Sequence, residues 1–466
     1  MGGDDLQTEL LLERLPVPES SYSSSGEHLV KRTGTVWTAM AHIITAVIGS
    51  GVLSLAWSVA QLGWVGGPTA MVFFAGVIVI QSSMLTDCYI SHDSERGSGV
   101  RNRSYMNAVK FYLGEKSQIF CGLFLCFSLF GSGVVYTLTS ATSMRAIYKA
   151  DCYHKEGQDT PCSAAARGDS YYMLLFGLAQ GVLSQIPDFH NMAWLSVFSA
   201  VMSFSYSFIG FGLGAAEVIE NGVIKGGIGG VPLVFRMQKV WRVAQALGDI
   251  AFAYPFTLVL LEIEDTLRSP PPQSKTMKTA SRASMAITTF LYLGCGCFGY
   301  AAFGDDTPGN LLTGFGFYEP YWLVDLANLC VVLHLLGGYQ MYTQPVFALV
   351  EQRFGAEACD VDVELPLLGR CRVNLFRLCF RTVYVAATTA LAVLFPYFNQ
   401  VIGLRGAFTF WTLSIYFPVE MYLVQAKVAS WTRRWLAIEL FSLTCLLICT
   451  FAFIGSAVGV FGSERS

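Results

Sequence analysis

Charge is what this chain has least of: Asp, Glu, Lys and Arg together supply 14% of its 466 residues, against about a quarter in an ordinary soluble domain. The two signs nearly cancel, 33 acidic against 30 basic for a net charge of −3. No basic cluster offers a nucleic-acid surface, so no nucleic-acid partner is expected. Catalytic signatures are missing as well. There is no phosphate-cradling loop, which leaves ATP-driven pumping without support, and no serine elbow or His-Glu-x-x-His pair. Neither an enzyme nor a cofactor is expected. Residues 1–30 are acidic and Ser-rich and lack an apolar core, so they read as a flexible cytoplasmic tail and not as a cleavable signal peptide.

Apolar residues fill the space that charge leaves. They make up 53% of the chain, and mean hydropathy is +0.48. A helix needs about 20 apolar residues to cross a hydrocarbon core, and about eleven segments meet that need, near 36–62, 64–90, 118–144, 170–187, 191–219, 239–265, 279–303, 321–350, 374–396, 398–425 and 435–460. An all-α polytopic membrane protein follows, with residues 31–466 as one transmembrane domain in the lipid bilayer. With the N-terminus inside, 20 of the 30 Lys and Arg residues fall on the inner side, as the positive-inside bias requires. An odd number of helices then leaves the C-terminus outside.

The first segment is interrupted by Gly49-Ser50-Gly51. Each glycine costs a helix about 1 kcal/mol relative to alanine, and in lipid the freed backbone groups need other partners. If the chain unwinds at Ile48, Gly49, Ser50 and Gly51, the amides of Gly51, Val52 and Leu53 open a new half-helix at its positive end, a site for an anion such as a carboxylate. Glycines so spaced also serve plain helix packing. The sixth segment repeats the theme. Pro255 removes a backbone donor and disfavours helical geometry at Tyr254, so a break is expected over Ala251, Phe252, Ala253 and Tyr254, with Pro255 opening a second half-helix. Interrupted helices five apart suggest an inverted repeat, with one half near 36–219, the other near 239–425, and an extra helix near 435–460. Paired breaks of this kind point to a binding site near the membrane midplane. A solute carrying both a carboxylate and an ammonium suits them, its ammonium facing the carbonyls freed before Pro255.

Other polar groups divide between function and packing. Tyr136, with Phe252 and Tyr254, either faces the solute side chain or sits in the core. His42 and His334 are the intramembrane histidines and either relay a proton or are satisfied core groups. Asp249, just before the second break, is placed to couple proton uptake to binding. Asp87 either functions or pairs with a basic loop residue. Glu262 and Glu264 are expected to meet solvent or loop lysines. Cys152 and Cys162 flank a polar outer loop and are disulfide candidates. Cys295-Gly-Cys297 has no ligand set near it, so no metal is expected.

KRTGTVWTAMAHIITAVIGSGVLSLAW, CYHKEGQDTPC, SQIPDFHNMAWLS, QALGDIAFAYPF, EDTLRSPPPQSKTMK, FGDDTPGNLLTGFGFYEPYWLVDLAN and YFPVEMYLVQ closely resemble the plant amino acid permeases of the amino acid/auxin permease family. The resemblance runs through nearly the whole chain from Lys31. It implies a proton-coupled amino acid importer at the plasma membrane, with a leucine-transporter-like fold of broken helices in a 5+5 inverted repeat. The other readings are a carrier of another carboxylated solute, such as auxin or basic amino acids, and a sensor that binds amino acids without moving them. Two positions depart from the family pattern. Tyr254-Pro255-Phe256 stands where Tyr-Ser-Tyr is commoner, and Arg405 stands where leucine is commoner, a cation that could attract acidic substrates or pair with Asp325 or Glu319.

Overall fold

The computed structural model describes residues 32–92, 99–157, 168–186, 193–316, 320–354, 360–365 and 369–462. Helices dominate it: α1 (Val36–Val47), α2 (Leu55–Asp87), α3 (Tyr105–Glu156), α4 (Asp169–Leu183), α5 (Ala193–Asn221), α6 (Arg236–Ala253), α7 (Thr257–Asp265), α8 (Gln273–Phe303), α9 (Tyr321–Arg353), α10 (Leu375–Leu394), α11 (Phe398–Trp411), α12 (Phe417–Gln425) and α13 (Arg433–Gly462). Two antiparallel hairpins complete it, β1 (Ile90–His92) with β2 (Gly99–Arg101), and β3 (Asp360–Leu365) with β4 (Gly369–Asn374).

Among the described residues nine helical spans, α6 with α7 counted as one, are long and apolar enough to cross a membrane, and α1 is a shorter apolar helix. Two features explain why this number differs from the eleven segments. The second half of the first segment runs on into the second segment as α2, whose only non-helical residue is Gly63 at φ 78°. The fourth segment ends early, as the 15-residue α4. Many apolar side chains on these helices face outward, for example Phe290 on α8 and Leu440 and Leu447 on α13, as lipid contact requires.

The chain packs as two compact units, each drawing on residues from both the first and the second half of the sequence. One unit is built from Cys126–Ile209 and Phe315–Phe398. Here α4, α9 and α10 pack together through buried polar ladders. Gln340 donates to Gln180 at 2.6 Å, and Gln344 donates to Gln340 at 3.2 Å. Arg381 is held against Glu351 at 2.7 Å and donates to the Ser184 carbonyl at 2.6 Å.

Among the described residues the other unit comprises Arg32–Leu125, Gly210–Gly314 and Asn399–Gly462. Its core is α2 against α8, with α1, α6, α7 and α11 to α13 around them. Glycines set a close crossing: a Cβ on Gly406 would lie 2.3 Å from the Gly248 carbonyl oxygen, so α11 and α6 meet backbone to backbone. At one end of this unit the segment entering α1 is tied to the end of α7. Gly34 N–H donates to Thr266 O at 2.9 Å, Arg268 N–H donates to Gly34 O at 3.0 Å, and Arg32 donates to both the carbonyl and the carboxylate of Asp265 at 2.8 Å. The Tyr89 hydroxyl also donates to the Asp265 carboxylate. Burial and that bond push the Tyr89 phenol above its ordinary value. Asn102, in the Asn-Arg-Ser sequon, is buried and donates to Cys88 O at 2.9 Å, so its amide is not free to carry a glycan.

Candidate functional site

Both interruptions are present and both lie in the second unit. The Thr35 hydroxyl caps the start of α1, and the helix ends at Val47. Ile48 turns extended at φ −76°, ψ 97°, and Gly49 follows at φ −135°, ψ −150°. A single 3₁₀ turn, Ser50–Ser54, then leads into α2. The Ser54 hydroxyl turns back to the Gly51 carbonyl at 2.9 Å. Ser50 is buried, and its hydroxyl has no hydrogen-bond partner among the described residues.

The second break falls slightly later than the sequence reading placed it. Ala251, Phe252 and Ala253 keep helical geometry, the chain departs at Tyr254 to Phe256, and α7 begins at Thr257 instead of Pro255. The physical cause is the same residue. Pro255 has no N–H to give to the Ala251 carbonyl, so helical φ/ψ persists to Ala253 while the last carbonyls lose their partners.

The two breaks touch. A Cβ built on Gly51 would lie 2.9 Å from both the Cα and the Cβ of Ala253 and 3.1 Å from the Phe252 ring. Only glycine allows that approach. Tyr292 of α8, wholly buried, holds the pair together: its hydroxyl lies 2.8 Å from Val47 O and 3.1 Å from Ala253 O. One proton is thus shared between the last carbonyls of α1 and α6, and the ring packs edge-on against Tyr254 at 5.2 Å. No sequence pattern singles out Tyr292; its role arises from a partner 245 positions away.

Asp249 lies one helical turn before the break and is fully buried. It accepts from Asn399 Nδ2 at 2.9 Å, with Ser58 of α2 beside it. A Cβ on Gly403 would come within 2.8 Å of Asp249 Oδ1 and 2.6 Å of the Ser456 hydroxyl, so α11 and α13 help enclose the carboxyl. Arg405 places its guanidinium 4.7 Å above the Phe252 ring, a cation–π contact at the break itself.

The remaining candidates are dispersed. His42 is exposed on α1. Asp87 is ion-paired with Lys278, the pairing alternative that the sequence left open. Tyr136 and His334 belong to the first unit. There Tyr136 packs edge-on against Tyr342 at 5.6 Å, and buried His334 lies 2.9 Å from the Ser199 carbonyl and edge-on to Tyr206. Cys152 is disulfide-bonded, while Cys162 lies outside the described residues. Cys295 is buried without a metal-like cluster among the described residues. Glu264, expected to meet solvent or a loop lysine, is fully buried, with Lys278 facing it and no hydrogen bond to either carboxyl oxygen among the described residues.

Comparison with known proteins agrees with this geometry. The whole architecture is similar to Mhp1, a nucleobase-cation-symport-1 family transporter, at TM-score 0.52 and 14% identity over 96% of this chain and 95% of that one. It is equally similar to MhsT, solved in complex with L-phenylalanine, at TM-score 0.52 and 11% identity over 93% of this chain and all of that one. Both are leucine-transporter-type folds, and the fold class is therefore the expected one. In sequence the chain is 54% identical to Probable amino acid permease 7 of Arabidopsis thaliana over 94% of this chain and 95% of that protein. It is 51% identical to Amino acid permease 3 of the same plant, over 92% and 91%. The family model described as transmembrane amino acid transporter protein matches residues 32–461. With that match spanning nearly every described residue, this multi-pass membrane protein belongs to the transmembrane amino acid transporter family.

Proposed function

We propose that the chain is a proton-coupled symporter that imports amino acids, chiefly neutral ones, across the plasma membrane. The observation that carries this reading is the abutment of two interrupted helices, with Gly51 against Ala253 and Tyr292 bridging Val47 and Ala253. Relatives named as amino acid permeases support the substrate class.

The chemistry follows from the helix ends. The substrate carboxylate accepts from the amides of Gly51 and Val52, which open a half-helix at its positive end, and from the unpartnered Ser50 hydroxyl. Its ammonium donates to the carbonyls of Ala251 and Phe252, at the negative end of α6, where Pro255 has removed the normal donor. Phe252 and Tyr254 face the solute side chain. Asp249 carries the coupling proton, since it is enclosed one turn from the ammonium site. Asp87 is engaged by Lys278, His42 is exposed and His334 belongs to the other unit, so these three are the weaker carriers. The N-terminus faces the cytoplasm, and the halves near 36–219 and 239–425 form the inverted repeat.

The test is uptake of labelled proline in transporter-deficient yeast, competed by a panel of solutes. Neutral amino acids should compete; competition confined to auxins or to basic amino acids would reject the assignment. Arg405 above Phe252 favours one extension of the range. Acidic amino acids should compete in the wild type and lose that ability in Arg405→Leu. If Arg405→Leu leaves their competition intact, Arg405 has no part in substrate choice.

A further inference from the structure

Glu264 is a fully buried carboxyl of the second unit that the reading above does not use and that its surroundings do not explain. It sits on the last turn of α7 with no exposed surface, and neither carboxyl oxygen has a hydrogen-bond partner among the described residues. Yet it is surrounded by charge. Asp87 and Cys88 face it from the end of α2, Lys278 faces it from α8, and Asp265 is its neighbour. The cation nearest to hand is already engaged: Lys278 donates to Asp87. Asp265 is likewise held, by Arg32 and the Tyr89 hydroxyl.

An ionised carboxylate enclosed in this way, with two acidic neighbours and no donor, would carry a penalty of several kcal/mol. The neutral acid escapes the charge penalty and keeps only the smaller cost of an unpartnered polar group. A plain packing residue would need no acid here at all, and the cluster offers an ionised Glu264 a single partner, Lys278, if that lysine leaves Asp87.

We propose that Glu264 is a second proton-binding site, set at the far end of α7 from the paired breaks. The inference rests on the proton-coupled reading given above. In the arrangement seen here Glu264 holds a proton and Lys278 pairs with Asp87. When this end of the unit opens to the cytoplasm, the Glu264 O–H bond breaks, its proton passes to water, and the carboxylate left behind takes the Lys278 ammonium from Asp87. Thr257 and Glu264 are seven residues apart, about 10 Å along the helix axis, so α7 carries the substrate break at one end and this exchange at the other. A cytoplasm that is too acid holds Glu264 protonated and slows the step.

The test uses the full chain in proteoliposomes, with labelled proline outside, the membrane potential clamped and the internal pH set. Wild-type initial uptake should fall at least about threefold as internal pH is lowered stepwise from ~7.5. Glu264→Gln, neutral at every pH and unable to take Lys278, should transport at the slow acid-internal rate throughout and so lose that dependence, and Glu264→Asp should keep it. A wild-type internal-pH profile in Glu264→Gln would overturn the proposal. Infrared spectroscopy of the purified protein supplies a readout independent of transport. The carboxylic-acid carbonyl absorption near neutral pH should lose one component in Glu264→Gln, leaving that of Asp249, and an unchanged absorption would overturn the proposal equally. If wild-type uptake ignores external pH and uncouplers, the coupling reading itself fails, whatever the infrared result for Glu264.

Discussion

Gly51→Ala adds one carbon where the two interrupted helices meet, and its cost can be worked from the geometry. The new Cβ would stand 2.9 Å from both Ala253 Cα and Ala253 Cβ and 3.1 Å from the Phe252 ring. The ring can tilt away, but a backbone Cα cannot, so the 3₁₀ turn Ser50–Ser54 and α6 must separate. Overpacking of this kind costs about 1–3 kcal/mol. If that strain falls on the conformation that binds substrate, KM rises roughly 5- to 150-fold. The assay is the concentration dependence of labelled proline uptake, normalised to surface protein. Three companions sharpen it. Gly76→Ala on α2 meets nothing within 4 Å and should leave KM unchanged. Gly51→Val should abolish uptake while the protein remains at the surface. Ala253→Gly, combined with Gly51→Ala, removes the contact with Cβ but leaves the one with Cα, so recovery should be partial. A Gly51→Ala transporter with wild-type KM would refute the claim that the breaks abut at the substrate site.

The Tyr292 bridge makes a separate prediction: Tyr292→Phe leaves Val47 O and Ala253 O without their donor, at a cost of about 1–3 kcal/mol. Purified Tyr292→Phe should unfold at lower temperature and bind substrate more weakly; equal stability and affinity would mean that the hydroxyl holds nothing together. Asp249→Asn fixes the enclosed carboxyl as a neutral amide. It should preserve substrate exchange while flattening the external-pH dependence of net uptake, read together with a pH-sensitive dye inside vesicles. Normal substrate-driven proton entry in Asp249→Asn would assign the proton elsewhere.

Much of this arrangement was legible in the sequence because backbone chemistry announces itself locally. Gly49-Ser50-Gly51 and Pro255 are each a departure from what a lipid-embedded helix tolerates, and the breaks fall beside them. The shift of the second break to Tyr254–Phe256 shows the limit: proline removes a donor from the preceding turn without unwinding it, so the freed carbonyls and the bent residues are different sets. Side-chain roles set by distant partners were not legible. Tyr292 looks like any aromatic in an apolar run until α1 and α6 bring two carbonyls to it. Glu264, in a Glu-Ile-Glu-Asp stretch near a helix end, reads as a surface acid, but α2 and α8 close over it. For the histidines residue type left relay and core open, and the packing that leaves His42 exposed and gives His334 a carbonyl partner depends on neighbours distant in sequence. The length of α4 was missed because hydropathy records the apolar run and not where its helix stops.

The central claim is that a proton gradient drives amino acids through the paired breaks, and vesicles test it most directly. Purified full-length protein in proteoliposomes, acid outside and clamped in potential, should accumulate labelled proline above its external concentration. An uncoupler should collapse that gradient. Uptake that only equilibrates, or accumulation that persists without the pH gradient, would contradict the account.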